Sequence, residues 1–251
     1  MKNAQKHLEK SIEINPEFSD AHYELGLMLM DQSEDELAKK HLLKVIKIDS
    51  NFMMAHFHLA LLFKKIENNK KSKEFFLKAI ELDQNFADSY YQYGLLLAEM
   101  DEYEEARNNL EKATDIDQNH HLAYYHLAKL LIDPEDFEKS KKNYLIAIDI
   151  KNNFADAHYY LGKLLSTGLQ NDEGGTLVRK PEYDAAIIHY KKAVQYKKDF
   201  SKAHFHLALI HKIQENHQES YKHLKIALKI NPDDSKAHFH MAMLYKEMGE
   251  K

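Results

Sequence analysis

Histidine is the residue type best suited to chemistry in this sequence: there are 17, and nine of them recur at fixed spacing. His22, His56, His158, His204 and His238 share one register, and His58, His126, His206 and His240 share another, two residues later. Imidazole titrates near neutrality and ligates transition metals, so proton transfer and metal binding are the chemistries to weigh. A metal site needs three or four convergent ligands. His206 and His240 are placed to approach each other across neighbouring helices, but the pattern offers no carboxylate to complete a set. The chain has no cysteine, so thiolate sites and disulfides are excluded. No metal and no cofactor is assigned.

Catalysis finds no support either. Serine, histidine and acidic residues are plentiful, yet no nucleophile elbow or metal-protease motif occurs. Gly174-Gly175 lacks the Gly-x4-Gly-Lys-Ser/Thr run that wraps a phosphate, so that stretch reads as a loop. The sequence is not that of an enzyme.

The elements that carry these residues are set by a repeat. A phrase such as Ala55-His56-Phe57-His58-Leu59-Ala60 occurs seven times, and its closing Gly or Ala falls at 26, 60, 94, 128, 162, 208 and 242. The spacing is 34 throughout except for one step of 46. In the unit 53–86, Phe57, Leu59, Ala60, Leu61 and Phe63 form one apolar face and Phe75, Phe76, Ala79, Ile80 and Leu82 a second, with Asn68-Asn69 between them. Each unit is therefore two antiparallel helices. A second small series (Ala38, Ser72, Ala106, Ser140, Ala186, Ser220) faces the first, with large residues between (Leu42, Phe76, Leu110, Tyr144, Tyr190, Leu224). Alternating small and large residues is how helices interdigitate.

The units run 19–52, 53–86, 87–120, 121–154, 155–200 and 201–234, preceded by a lone helix at 3–14 and followed by one at 235–248, about fourteen helices in a single array over 1–251. The fifth unit carries 12 extra residues near 167–180. Lengthening a turn from about 4 to about 16 residues costs only about 1.2 kcal/mol of closure entropy, so the array tolerates it. Pro181, and Pro134 in the unit before, are expected near a first-turn position where the second helix restarts.

This pattern resembles the tetratricopeptide repeat, whose signature runs W-x2-L-G-x2-Y, A-x3-F, P. In the third unit the matching positions are Tyr90, Tyr93, Gly94, Leu97, Ala106, Leu110 and Ala113. The opening Trp is replaced by His or Tyr, and the closing Pro survives only as Pro16 and Pro232. The resemblance implies an all-α, right-handed superhelical solenoid that binds a protein or peptide in a concave groove without catalysis. It places the first histidine register inside the unit, as aromatic filler. It places Tyr23, Phe57, Tyr91, Tyr125, Tyr159, Phe205 and Phe239 along the groove, with His58, His126, His206 and His240 beside them. Two readings of those rings stand: a ladder for a partner, or a cover for the neighbouring helix. By the same register Lys64, Lys129, Lys163, Lys202, Lys212, Lys236 and Lys246 face inward. Leu27, Leu61 and Leu95 stand where carboxylate-gripping members of the family carry Asn, so that function is not carried over.

Charge narrows the partner. The net charge is −5, but residues 189–251 carry 12 lysines against 7 acids, while residues 1–188 carry 23 cationic residues against 33 acids. A net +5 end beside a net −10 remainder is too weak a field for duplex nucleic acid. It favours an acidic protein segment at the C-terminal half. With no signal peptide and no membrane-spanning run, membrane insertion is not expected and the cytoplasm is the expected compartment. The repeat frame begins and ends mid-unit, so an excised segment of a larger enzyme or assembly, and self-association through the array ends, are the rival readings.

Overall fold

The protein is described here by a computed structural model covering residues 2–167 and 181–249. Its elements are α-helices and one short 3-10 turn, with no strand among the described residues. They fall into two compact units, Met1–Gln118 and Asn119–Lys251. In the first, α1 (Lys2–Ile14) precedes the pairs α2 (Ser19–Asp31) with α3 (Asp35–Ile48), α4 (Met53–Lys65) with α5 (Asn69–Leu82), and α6 (Ala87–Glu99) with α7 (Tyr103–Ile116). In the second, α8 (His121–Leu130) pairs with α9 (Phe137–Ile150), α10 (Ala155–Ser166) with α11 (Tyr183–Tyr196), and α12 (Ser201–Ile213) with α13 (His217–Ile230), before α14 (Ser235–Glu247). No helix among the described residues is long and apolar enough to cross a membrane.

Each pair is locked where a small residue on the first helix meets a large one on the second. Leu42, Phe76, Leu110 and Tyr190 are completely buried. A Cβ added to Gly94 would lie 3.0 Å from Leu110 Cγ and 3.1 Å from the Ala106 carbonyl; at Gly162 it would lie 3.1 Å from the Tyr190 ring. The small residues also co-vary. Gly26, Gly94 and Gly162 sit opposite Ala38, Ala106 and Ala186, whereas Ala60, Ala128 and Ala208 sit opposite Ser72, Ser140 and Ser220. Each of those serines is buried and donates its hydroxyl to the facing alanine carbonyl at 2.8, 2.9 and 2.9 Å.

The turns between paired helices are equally repetitive. Ser33, Glu67, Asp101 and Glu215 all adopt φ near +60° (60°, 58°, 61°, 58°), the left-handed cap that satisfies the last carbonyls of a helix. The next amide then reaches back to the helix: Glu34 to Leu29, Asn68 to Phe63, Glu102 to Leu97 and Asn216 to His211, all at 2.8–2.9 Å. In the fifth repeat Glu182 makes the same bond to Leu165 at 2.8 Å across the inserted residues. The insertion thus leaves the helix-pair frame intact; its residues 168–180, including Gly174 and Gly175, lie outside the described residues.

The two prolines lie near the helix starts, as expected, but just outside the α-helices themselves. Pro134 does not open α9: it starts a short 3-10 turn, Pro134–Asp136, and α9 begins at Phe137. Pro181 likewise precedes Glu182, the residue that caps α11, rather than lying in its first turn. Proline disfavours helical geometry in the residue before it, and α8 ends at Leu130, short of Asp133.

Two substitutions separate these devices. Glu67→Gly relieves a left-handed residue and should raise stability by up to about 1 kcal/mol. Gly94→Val drives two methyl groups into Leu110 and should lower it by about 1–3 kcal/mol. Urea unfolding with unchanged denaturant slope checks both.

Candidate functional site

The first histidine register lies inside the helix pairs. His22, His56, His158 and His204 are buried. The Nε2 of His22, His56, His158 and His238 meets the carbonyl six residues earlier, on Pro16, Ser50, Asn152 and Pro232, at 3.1, 2.9, 3.2 and 2.9 Å. A carbonyl only accepts, so Nε2 carries the hydrogen in these rings and Nδ1 is left as an acceptor. Three of the register's histidines use Nδ1 on a second histidine from the paired helix: His22 with His41, His158 with His189 and His204 with His223, at 2.9, 2.9 and 3.0 Å. In the second repeat Phe75 takes that place beside His56.

The rings expected to line a partner groove are mostly turned into the protein. Phe57, Tyr91, Tyr125 and Tyr159 are 5–7% exposed. Tyr23 and Phe205 are half-buried, and only Phe239 stands out at 61%. The cause is a residue series outside the seven-fold phrase: Phe52, Phe86, Phe154 and Phe200, each capping the start of the next helix pair. Their centroids lie 4.9, 5.2, 4.9 and 4.8 Å from Tyr23, Phe57, Tyr125 and Tyr159. The regular recurrence of these phenylalanines was the available signal. The rings of Phe57, Tyr125 and Tyr159 pack against the start of the next helix pair and offer no open ladder, and Tyr91 is buried as well.

The second histidine register completes the same contacts. His58 meets Tyr23 and His206 meets Tyr159, with centroids at 5.7 and 5.6 Å; His240 meets Phe205 at 5.5 Å, and Tyr160 meets Tyr125 at 5.8 Å. His126 lies edge-on to Tyr125 at 4.8 Å. His206 does not reach His240 among the described contacts. It stacks instead on Tyr190, at 5.5 Å and 9° between planes.

The lysines divide into two groups. Lys64 pairs with Glu99 at 3.0 Å and Lys212 with Glu247 at 2.9 Å. Lys129, Lys163, Lys202 and Lys236, all in the second unit, have no carboxylate partner among the described residues. Lys163, Lys202, Lys236 and also Lys246 are exposed. Lys129 holds its ammonium over Tyr160 at 5.1 Å and Tyr125 at 5.6 Å. Because α8 stops early, a cleft of ≈ 300 Å³ opens beside it, lined by Lys129, Ile132, Phe137, Tyr144, Tyr160 and Lys163. Ile132 is 81% exposed at its mouth. Here expected lysines and accessible aromatic and apolar surface come together.

A further group forms in the sixth repeat. Donor atoms of His211, Glu219 and His223 all lie within 4.8 Å of one another. The carboxylate missing from the repeat pattern is Glu219, one helical turn before His223.

Comparison with known proteins agrees with the helix pairs. Tetratricopeptide repeat profiles match residues 19–52, 55–86 and 201–234, and a second such profile matches 75–108. The fold is similar to that in the functional characterization of Pseudomonas aeruginosa pilF, with TM-score 0.74 and 21% identity over 90% of this chain and 97% of that one. It is also similar to YrrB, a TPR protein with an unusual peptide-binding site, with TM-score 0.63 and 21% identity over 79% of this chain and 96% of that one. A third likeness is to the C-terminal part of a TPR repeat-containing protein from Cytophaga hutchinsonii, with TM-score 0.70 and 14% identity over 94% and 92% of the two chains. A search of curated proteins found no match.

Burial sets the electrostatics of the buried imidazoles. Desolvation, with Lys163 adding to it, pushes His206 down to about 4; desolvation, then His158, Lys192 and Lys141, does the same to His189. The unfolded chain binds these protons from about pH 6.5 downward, whereas the folded chain resists until about pH 4. The stability they contribute is therefore complete above the unfolded value and is lost as pH falls across that window. The melting temperature should be lower at about pH 5.5 than at about pH 7.5. Replacing His206 and His189 together by Phe should shrink that difference in calorimetric melts.

Proposed function

The chain is a tetratricopeptide repeat protein, and on that premise we propose that it is a non-catalytic scaffold holding a carboxylate-bearing peptide or protein segment in its second unit. The observation that carries the reading is the cleft beside the shortened α8. Two lysines without acidic partners among the described residues, Lys129 and Lys163, flank the half-buried Tyr160 and the apolar wall made by Ile132 and Phe137. Such a cleft takes an apolar side chain while the ammonium groups meet a neighbouring acid. Lys202 and Lys236 extend the positive charge along the first helices of the later repeats. In support, YrrB is a fold relative with a peptide-binding site. The lack of any nucleophile or phosphate-binding motif supports the non-catalytic part of the reading.

Exposed ion pairs contribute only about 0–1 kcal/mol each, so lysines should set orientation and association rate while the aromatic and apolar wall sets affinity. Tyr159, which is buried, belongs to the fold and not to the interface.

The test is fluorescence anisotropy with a set of labelled peptides, acidic-apolar, amidated neutral and basic. An acidic-apolar peptide should bind most tightly and weaken with salt. Lys129→Ala with Lys163→Ala should weaken it by up to about tenfold and flatten the salt dependence. Tyr160→Ala should cost more. Binding that ignores charge, salt and all three substitutions would place the partner elsewhere.

A further inference from the structure

The sixth repeat breaks the repeat rule at one buried position. The seventh residue after each first-register site is Leu29, Phe63, Leu97, Leu131 or Leu165 in the earlier repeats, and every one is at most 4% exposed. In the sixth repeat it is His211, 7% exposed, and both of its ring nitrogens lack a hydrogen-bond partner among the described residues. A buried imidazole left unsatisfied is destabilising, where a leucine would have been stabilising.

What surrounds that imidazole is a set of donors. Its ring stacks on His223 at 5.7 Å with 3° between planes. His223 turns Nε2 toward Glu219, 3.8 Å from Oε2, too far for a hydrogen bond. On its other side Nδ1 of His223 contacts Nδ1 of His204 at 3.0 Å. In the equivalent pair of the fifth repeat the first histidine spends its hydrogen on a carbonyl, so the second must donate through Nδ1. No carbonyl contact of His204 is present among the described residues to fix the donor in this pair; when His204 accepts the shared hydrogen, Nε2 of His223 is a bare lone pair facing a carboxylate. In that tautomer the two acceptors and the unpartnered His211 nitrogens suit a cation between them.

We propose that His211, Glu219 and His223 form a site for a divalent transition-metal ion of the zinc class, with His204 holding the other ring nitrogen of His223. Two imidazoles and one carboxylate are a borderline-soft set that suits Zn²⁺, Co²⁺, Ni²⁺ or Cu²⁺ rather than Mg²⁺ or Ca²⁺. Hydrogen bonding of the non-ligating nitrogen to a neighbouring group is the usual way a ligating imidazole is oriented. Tetrahedral donors at about 2.0–2.1 Å from an ion stand about 3.3 Å apart, so the three must draw in from separations of up to 4.8 Å. The Glu219 side chain is 40% exposed and free to swing. Its competing partner is Lys222, at 3.4 Å and itself 62% exposed. Neutral imidazole is the form that ligates, and both rings lie out of solvent. Lys191 and Lys222 oppose a cation there, and Glu219 offsets them.

Three protein ligands leave a coordination position open to water or to a partner's donor. The ion would tie α12 to α13, because His211 comes from the first helix and the other two ligands from the second. This site is independent of the peptide cleft.

The experiment is titration of the full chain with Co²⁺ and Zn²⁺ at about pH 7.5, followed by calorimetry, melting temperature and the visible d–d bands of bound Co²⁺. Saturable one-to-one binding with a raised melting temperature is expected. His211→Leu restores the residue type of the earlier repeats, so it should fold at least as stably without metal while weakening Co²⁺ at least tenfold. Glu219→Gln should also weaken it at least tenfold, and His41→Phe in the first unit should leave it unchanged. Absence of saturable binding, or unaltered Co²⁺ bands and affinity in His211→Leu, would overturn the proposal. Loss on His41→Phe alone would do the same, by placing the ion in another histidine pair.

Discussion

Every other feature depends on one interlock, the close approach of a small residue on the first helix of a repeat to a large one on the second. At Gly94 the space for a methyl group is already occupied to within 3.0 Å, and at Gly162 to within 3.1 Å. Where the first helix has alanine instead, the second answers with a buried serine that donates to the alanine carbonyl. Both solutions keep two helices at contact distance without a void, and they alternate repeat by repeat along most of the chain. With that distance set, the orientation of each first helix is set too, and with it the direction in which its aromatic and basic side chains leave.

The consequence for the aromatic series is that it couples one repeat to the next. A ring such as Tyr159 meets Phe200 at the start of the following pair and His206 on the following first helix. It stitches neighbours by burying apolar area at each joint, the nearest-neighbour interaction on which repeat arrays rely. Lysines one turn further along the helix are left outside. The surface that the stitching does not consume includes Lys129 and Lys163, the half-buried Tyr160, and the gap beside α8, which ends short of Pro134. The turn hydrogen bond from Glu182 to Leu165 shows the same economy. Extra residues enter a turn, and the carbonyl that closes the helix still finds its donor.

Much of this was legible in the sequence, and the boundary is physical. Helix starts at Ser19, Met53, Ala87, His121, Ala155, Ser201 and Ser235 coincide with the start of each repeat period, because a strict 34-residue recurrence leaves little freedom. The interlock was legible for the same reason. The direction of the aromatic rings was not. A residue at fixed helical register points along one face, but whether that face meets solvent or the next repeat depends on residues further along the chain. Here those residues are Phe52, Phe86, Phe154 and Phe200, which lie outside the seven-fold phrase. The histidine pairs were hidden as well. His22 meets His41 across 19 residues and His158 meets His189 across 31, so no single helical period displays them.

Departures from the period carry the information that the period itself cannot. A repeat that conforms at every position explains only its own stability. Pro134 breaks the rule and a cleft appears; His211 breaks it and a buried polar ring stands where five earlier repeats have Leu or Phe. The two departures differ in kind. Ending a helix early at a proline has a local cost that a 3-10 turn largely absorbs. An orphaned imidazole inside a helix pair has no local remedy, since its neighbours His223 and Glu219 are already engaged with His204 and Lys222. Locally inconsistent residues persist in natural sequences where function offsets their cost. In this chain that reasoning singles out the sixth repeat, whose defect is complementary in charge and geometry to a cation.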